Sequence, residues 1–208
     1  MTPAMISKHP LARAARRLLL ACLIGGTLVV AGCSKGEPAF QNLDLTGNTQ
    51  FGTDFALPDT NGKMHTLADY KGKAVVLFFG YTHCPDVCPT TMAELAQALQ
   101  QLGADAKRVQ VLFVTVDPER DTPPVLAQYV QAFNPAFVGL RPSDAQLAKV
   151  AKDFRVYYAK VPGKTPENYT MNHTAASYVF DPSGKLRLFA RDGQGTQPWV
   201  HDLKLLLD

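Results

Sequence analysis

The chain has 208 residues, and 46% of them are hydrophobic, so its length and composition fit one packed domain with an appendage and exclude a disordered protein. The formal net charge of +3 arises at the N-terminus, because residues 1–32 hold four basic residues and no acidic one. Without them the chain has 17 basic and 18 acidic residues. A body so close to neutral has no electrostatic basis for binding nucleic acid.

Residues 1–32 have the features of an export signal. A basic region ends at Arg16 and Arg17, and the apolar stretch at 18–31 is too short and too rich in glycine to predict a spanning helix. Val-Ala-Gly-Cys at 30–33 resembles the lipobox of bacterial lipoproteins, in which the cysteine is lipidated and becomes the mature N-terminus. We therefore predict a lipid on Cys33 and an exported, membrane-anchored lipoprotein facing the periplasm. An uncleaved anchor and ordinary cleavage nearby are the alternatives.

The rest of the chain divides into a tether and one domain. Residues 33–50 are polar and broken by Gly, Pro and Asn, which predicts a tether that reaches the edge of the domain. Within the domain at 51–208, strands are predicted at 51–57, 74–80, 109–116, 155–161, 175–180 and 185–190, and helices at 89–102, 123–133, 143–153 and 197–207. Residues 162–172 predict a polar loop. This order is typical of an α/β fold with a mixed sheet and helices on both faces.

Two cysteines follow the first buried strand, at the turn into the first predicted helix. Such turns are where α/β folds place their chemistry. Because Cys84 and Cys88 each precede a proline, which disfavours helical geometry, we expect neither cysteine inside a helix. Cys88 is predicted to lie just before the first helical position, with Pro89 in it. The unpaired N–H groups there should lower the pKa of the Cys88 thiol, with Cys84 within reach across the turn.

These two cysteines are the pair that processing leaves available. Cys22 leaves with the signal and Cys33 carries the lipid, so Cys84 and Cys88 remain in a compartment where disulfides persist. A structural disulfide is one interpretation, but closing so short a loop removes little entropy from the unfolded chain. A close pair on a strand-to-helix turn favours redox activity or metal binding.

Four stretches of the domain resemble one family. They are Phe-Gly-Tyr-Thr-His-Cys-Pro-Asp-Val-Cys-Pro at 79–89, Val-Asp-Pro-Glu-Arg-Asp-Thr-Pro at 116–123, His173-Thr174 followed by Tyr178 and Asp-Pro-Ser-Gly at 181–184, and Asp-Phe-Ala-Leu at 54–57. With these, the sequence resembles the Sco/SenC family of copper-handling, thioredoxin-like proteins from about residue 51 to its end. One departure is Asn172, where the family often has aspartate before the histidine.

The resemblance implies a thioredoxin-like fold and a copper site. Copper, as Cu(I) and also as Cu(II), would be bound by Cys84, Cys88 and His173. The implied task is assembly of the binuclear copper centre of cytochrome c oxidase, by delivering copper or by reducing the target's cysteines. The implied partners are the copper-bearing oxidase subunit, and a copper donor or a thiol reductant.

The residue chemistry leaves two functions open. Cu(I) is a soft ion that prefers thiolates and also accepts imidazole, so two cysteines and a histidine can hold it. The same reduced pair can act as a thiol–disulfide reductase, and its oxidation would prevent metal binding. A peroxidase of the peroxiredoxin kind needs a threonine three residues before its cysteine, where this chain has Tyr81 and Pro85. His173 favours a metallochaperone over an enzyme, because a dithiol reductant needs no third ligand.

The other histidines of the domain and one methionine are not expected to bind the metal. His65 and His201 are expected to be surface or packing residues. His83 is expected to point away from the cysteine beside it. Met171, a thioether two residues before the candidate histidine, is expected to lie in packing or in the loop surface rather than to bind metal.

Four charged residues are candidates for supporting roles. Asp86 lies between the cysteines, and Asp117, Arg120 and Asp121 follow a central strand at the sheet edge that should also carry the cysteines. They are expected to hold the metal-binding side chains in place or to contact a docking partner. Turn chemistry and helix capping are the alternative for the last three.

Overall fold

The computed structural model describes residues 39–165 and 168–208, so the predicted signal, Cys33 and the first part of the tether lie outside the described residues. The elements in chain order are β1 (Leu43–Asp44), β2 (Ala56–Pro58), β3 (Met64–Thr66), β4 (Ala74–Gly80), α1 (Val87–Leu102), β5 (Val109–Thr115), α2 (Pro123–Phe133), β6 (Val138–Leu140), α3 (Asp144–Phe154), β7 (Tyr158–Val161), β8 (Thr170–His173), β9 (Ala176–Phe180), β10 (Leu186–Arg191) and α4 (Thr196–Leu207). Among these residues, no helix has both the length and the apolar character needed to cross a bilayer.

A six-stranded mixed sheet forms the centre of the domain, in the order β1-β10-β9-β4-β5-β6. Strands β4, β5 and β6 run parallel, and β9 lies antiparallel against β4. On that side β10 and then β1 continue the sheet with antiparallel pairing. The mixed sheet predicted from the order of the elements is therefore confirmed.

Continuous apolar runs place β4 and β5 in the middle of the sheet. Every residue of both strands is buried, as expected for parallel strands that are covered on both faces. Successive side chains of β4 point to opposite faces, so Phe79 packs against Phe154 of α3 while Phe78 packs against Phe113. Phe113 in turn contacts Tyr129 of α2. Helices thus cover both faces, as predicted.

Two hairpins lie outside this sheet. The first pairs β2 with β3 around the turn at 59–63, where the backbone N–H of Asp59 donates to the carbonyl of Lys63. The second pairs β7 with β8 and places Tyr158 opposite His173. His173 therefore lies in a two-stranded sheet that is separate from the central sheet.

Strand β8 corrects the prediction of a loop throughout 162–172. Met171 is the one buried residue of its four, so the segment lacks the apolar run that indicates a strand. It forms because it pairs with β7, which begins at Tyr158 rather than at the predicted Arg155. Arg155 instead ends α3 in the left-handed conformation, with φ of 56°.

Strands β1 and β6 are also missing from the sequence prediction. They have two and three residues, too few for an alternating pattern to emerge. β1 lies within the segment 33–50 and adds an edge strand to β10. In β6, glycine is needed at position 139 because a Cβ on Gly139 would lie 2.7 Å from the Cγ of Leu126.

Candidate metal centre

Cys84 and Cys88 both lie at the junction of β4 and α1, but in different structural positions. Cys84 is half-buried in the connecting loop, whereas Cys88 is fully buried as the second residue of α1, after Val87. The expectation that Cys88 precedes the helix is wrong. Pro89 falls in the first helical turn, where a missing N–H costs no helical hydrogen bond, so the helix can begin before it.

His173 completes a cluster of three ligand atoms. One nitrogen of its ring and the sulfurs of Cys84 and Cys88 lie within 4.8 Å of one another, with 3.6 Å between His173 Nε2 and Cys88 Sγ. The other nitrogen, Nδ1, lies 3.1 Å from the carbonyl oxygen of Thr174. Because a carbonyl only accepts, Nδ1 carries the hydrogen and Nε2 is the nitrogen available to a metal. The fold therefore brings together the three side chains singled out from the sequence.

The start of α1 acts on the sulfur of Cys84 rather than on that of Cys88. The backbone N–H of Cys88 donates to Cys84 Sγ at 3.4 Å. A hydrogen bond from the Cys88 thiol, with further ones from backbone N–H groups, lowers the pKa of Cys84 well below its ordinary value despite partial burial. The same thiol hydrogen bond, together with burial, raises the pKa of Cys88. The prediction of a lowered pKa at Cys88 is therefore wrong, and Cys84 is the thiolate of the pair.

The end of β4 is shaped around the buried sulfur. A Cβ on Gly80 would lie 3.0 Å from Cys88 Sγ and 2.9 Å from the Phe78 ring, so glycine permits the close approach of the helix. The next residue, Tyr81, is buried and meets the His173 ring edge to face, with 5.7 Å between ring centroids. Neither support was predicted from the sequence. A glycine at the end of a buried strand, shortly before a cysteine turn, is the signal that indicates such an approach.

The buried carboxylate of Asp121 holds the cysteine loop to the loop that follows β5. It accepts hydrogen bonds from the backbone N–H of Thr82 at 3.1 Å, from the Thr82 hydroxyl at 2.6 Å and from the Thr115 hydroxyl at 2.5 Å. Burial raises the pKa of Asp121 against the opposing effect of these donors. Arg141 fixes the same loop from another side by donating to the carbonyl oxygens of Pro118 and Asp121.

Asp117, Arg120 and Tyr169 form a closed set of contacts, here called the hairpin clamp. Arg120 donates from Nε to Asp117 at 2.5 Å and from its terminal nitrogen to the Tyr169 carbonyl at 2.7 Å. The Tyr169 hydroxyl donates to the second Asp117 oxygen at 2.8 Å, and the guanidinium lies 3.5 Å from the centroid of the Tyr169 ring. Because Tyr169 immediately precedes β8, the clamp fixes the hairpin that carries His173 to the loop after β5.

The remaining candidates lie outside the cluster. Asp86 is exposed at the N-cap of α1 and makes no side-chain capping bond. Asn172, the departure from the family pattern, is exposed on β8. Met171 and His65 are buried in packing, and His201 is half-buried on α4.

These features can be compared with known proteins. The model of the SCO1/SenC family matches residues 43–208. The chain belongs to this family. Among solved structures, Bradyrhizobium japonicum ScoI with copper bound is 43% identical, with a TM-score of 0.65 over 74% of this chain and 98% of the other. The apo Sco1 protein of Thermus thermophilus is 40% identical, with a TM-score of 0.72 over 81% of this chain and 98% of the other.

Curated relatives include mitochondrial members of the same family. The mitochondrial SCO2 homologue of Bos taurus is 44% identical over 133 residues, which are 63% of this chain and 50% of the relative. This Sco-family chain thus matches about half the length of the mitochondrial relatives, and the thioredoxin-like fold predicted for it is confirmed by its structural neighbours.

Replacing Asp117 with Asn should loosen the hairpin of this Sco-family protein. The change leaves Arg120 with a neutral partner where both groups are largely removed from water, and breaking such a pair costs about 3 kcal/mol. We expect the free energy of unfolding in urea to fall by about that amount, and the β8 amides to lose protection from hydrogen exchange before those of β4.

Glu119→Gln is the matched control for this clamp variant. Glu119 pairs with Lys160 at the surface, and an exposed pair of this kind contributes little to stability because water screens it. Equal losses in the two variants, with β8 protection unchanged in Asp117→Asn, would contradict the clamp.

Alkylation of Cys84 in the reduced protein should depend little on pH. An ordinary thiol has a pKa near 8.5, so its reactive fraction falls roughly a hundredfold between pH 8 and pH 6. Because the folded pKa of Cys84 is lowered far below that value, its thiolate persists as the pH falls through this interval. Iodoacetamide labelling read by peptide mass spectrometry should show similar Cys84 rates at both pH values and protection of Cys88. A large slowing of Cys84 at pH 6 would refute the assignment.

Proposed function

We propose that this protein binds Cu(I) through Cys84, Cys88 and His173 and delivers it to the binuclear copper centre of cytochrome c oxidase. The observation that carries the proposal is the convergence of two sulfurs and one imidazole nitrogen within 4.8 Å. The copper bound by B. japonicum ScoI, at 43% identity, supports the choice of metal. Copper is the cargo of this function, and Cu(II) is a second state that the same ligands can accept.

The ligand set suits a soft ion. Thiolate and imidazole favour Cu(I), whereas Mg²⁺ and Ca²⁺ prefer the carboxylate and carbonyl oxygens that this cluster does not offer. Metal–sulfur and metal–nitrogen bonds of about 2.3 and 2.1 Å, the values found in zinc sites, set the scale. A sulfur and a nitrogen bound to one ion can then lie up to about 4.4 Å apart, and two sulfurs up to about 4.6 Å. The cluster therefore needs only a small closure to hold an ion.

Binding requires one proton to leave. Cys84 is already a thiolate, and the Cys88 thiol releases its proton to solvent as its sulfur binds. Two thiolates and a neutral imidazole then give the Cu(I) site a net charge near −1. With three ligands, the ion keeps room for a ligand from a partner, so transfer can proceed by exchange of one ligand at a time.

Cys84 and Cys88 differ in the pKa and the burial of their thiols. This difference supports a second function, thiol–disulfide reduction of the oxidase's cysteines or of other cysteine pairs. The half-exposed Cys84 thiolate would attack a target disulfide, form a mixed disulfide and release one target thiolate. Cys88 would then lose its proton and displace the second target sulfur, leaving a Cys84–Cys88 disulfide. Two electrons pass to the target, whose cysteines become able to receive copper. The protein would then be a thiol–disulfide oxidoreductase that prepares the copper centre.

We further propose that the protein works in the periplasm, held at the membrane by a lipid on Cys33. The basic region, the apolar stretch and the small residues before Cys33 support this location. Its partners there would be the copper-bearing oxidase subunit and a copper donor or thiol reductant. Mass spectrometry of the mature protein from bacterial membranes should find a lipidated N-terminal Cys33. Recovery of that cysteine unmodified would refute the anchor.

Anaerobic titration with Cu(I) tests the copper function. In competition with a coloured Cu(I) chelator, the reduced protein should bind one equivalent and the oxidised protein none. Cys84→Ser, Cys88→Ser and His173→Ala should each weaken binding by about a hundredfold or more, because each removes one of three ligands. The measurement is the chelator's absorbance at equilibrium.

The control for the histidine substitution is His201→Ala, which removes a half-buried histidine of α4 and should leave the affinity unchanged. Weak binding that is indifferent to His173, together with rapid exchange on a disulfide substrate, would make thiol–disulfide reduction the primary function.

A further inference from the structure

His83 stands at the solvent side of the metal centre and takes no part in its three-ligand cluster. Its side chain is 52% exposed, and its neighbour in the chain is the half-buried Cys84. Within the cluster Cys88 is fully buried, whereas Cys84 and His173 are both half-buried. His83 is therefore more accessible to an ion that arrives from solvent than any of the three ligands of the cluster.

A chain of hydrogen bonds fixes the state of the His83 ring. The Thr82 hydroxyl donates its hydrogen to the buried carboxylate of Asp121 at 2.6 Å. The same hydroxyl oxygen lies 3.1 Å from His83 Nδ1. Because the hydroxyl has only one hydrogen, its oxygen must accept from His83, so Nδ1 carries a hydrogen. The lone pair of the neutral ring is then on Nε2, on the side away from Thr82.

The other described histidines divide into one that belongs to the cluster and two that lie elsewhere. His173 has the same state, with Nδ1 bonded to an oxygen and Nε2 available. Both ring nitrogens of His65 are engaged, by Tyr70 and Asp59. His201 lies on α4. The cysteine loop therefore has one available imidazole nitrogen, on His83, and β8 has another, on His173 of the cluster.

We propose that His83 Nε2 is a transient copper ligand that, together with Cys84 Sγ, receives the ion at the surface before the other two ligands of the cluster bind it. This rests on the proposed Cu(I) function. Neighbouring Cα atoms are about 3.8 Å apart, and exposed side chains change rotamer within nanoseconds. The two side chains can therefore turn toward a common ion on the solvent side of the loop.

The transfer is a sequence of ligand substitutions in which copper stays Cu(I). Cys84 and His83 first replace two ligands of the donor. Cys88 then binds as its thiol proton passes to solvent, and His173 Nε2 displaces His83 Nε2. The final ligands are the same whether or not His83 binds transiently. His83 therefore affects the rate of copper uptake and not the equilibrium affinity for copper.

Stopped-flow transfer from a Cu(I)–bicinchoninate complex to the full reduced protein tests this role. His83→Ala removes the ring, and His83→Asn keeps an N–H donor for the Thr82 hydroxyl while removing Nε2. Both variants should take up copper about tenfold more slowly than the unaltered protein, with equilibrium affinities within about twofold. His201→Ala should behave as the unaltered protein in both measurements.

Each other outcome overturns the role of His83. An unchanged rate makes the residue a bystander, and an affinity that falls as far as the rate makes it a resident ligand. Slow transfer in His83→Ala with a normal rate in His83→Asn assigns the effect to the Thr82 contact. If the unaltered protein takes no Cu(I), the proposed function fails and this inference fails with it. Normal uptake by the unaltered protein and both His83 variants overturns this inference alone.

Discussion

One short loop sets the distance between the cysteines and the histidine. Residues 117–121 hold the cysteine loop through Asp121 and hold the hairpin of His173 through Asp117 and Arg120. That hairpin is a separate two-stranded sheet, so pairing with the central sheet does not fix it. The side chains of residues 117–121 therefore fix the hairpin in place, whereas backbone hydrogen bonds fix the strands of the central sheet.

Removing the two carboxylates of this loop from water is costly, and hydrogen bonds to each carboxylate offset that cost. Asp117 meets a guanidinium on one oxygen and a phenol hydroxyl on the other. Asp121 has no cation at hydrogen-bond distance among the described residues and relies on a backbone amide and two hydroxyls. Apolar residues of equal volume could give comparable stability, because removing charges from water is expensive. We interpret these groups as devices for orientation, since hydrogen bonds fix angles that apolar contacts leave free.

The sequence was sufficient for the central strands and for the three-residue cluster, but not for the supports around them. Apolar runs and the spacing of Cys84 and Cys88 are local patterns, and family resemblance supplied His173. Strand β8 depends on pairing with β7 rather than on its own composition. Which of the two thiols is ionised depends on the residue at which α1 begins. Proline disfavours helical geometry in the residue before it, but the first turn of a helix tolerates proline, so α1 begins before Pro89.

A site for cargo must hold an ion and also let it go, and the three candidate ligands differ in how firmly they are fixed. Cys88 belongs to α1 and packs against the end of β4, and the clamp secures the strand of His173. Cys84 lies in the loop, half-exposed, and its thiolate depends on hydrogen bonds that a metal would replace. If copper is the cargo, exchange therefore begins at Cys84. A partner that takes the ion must then reach the half-buried sulfur of Cys84 at the start of α1, where the backbone of Asp86 also contacts that sulfur.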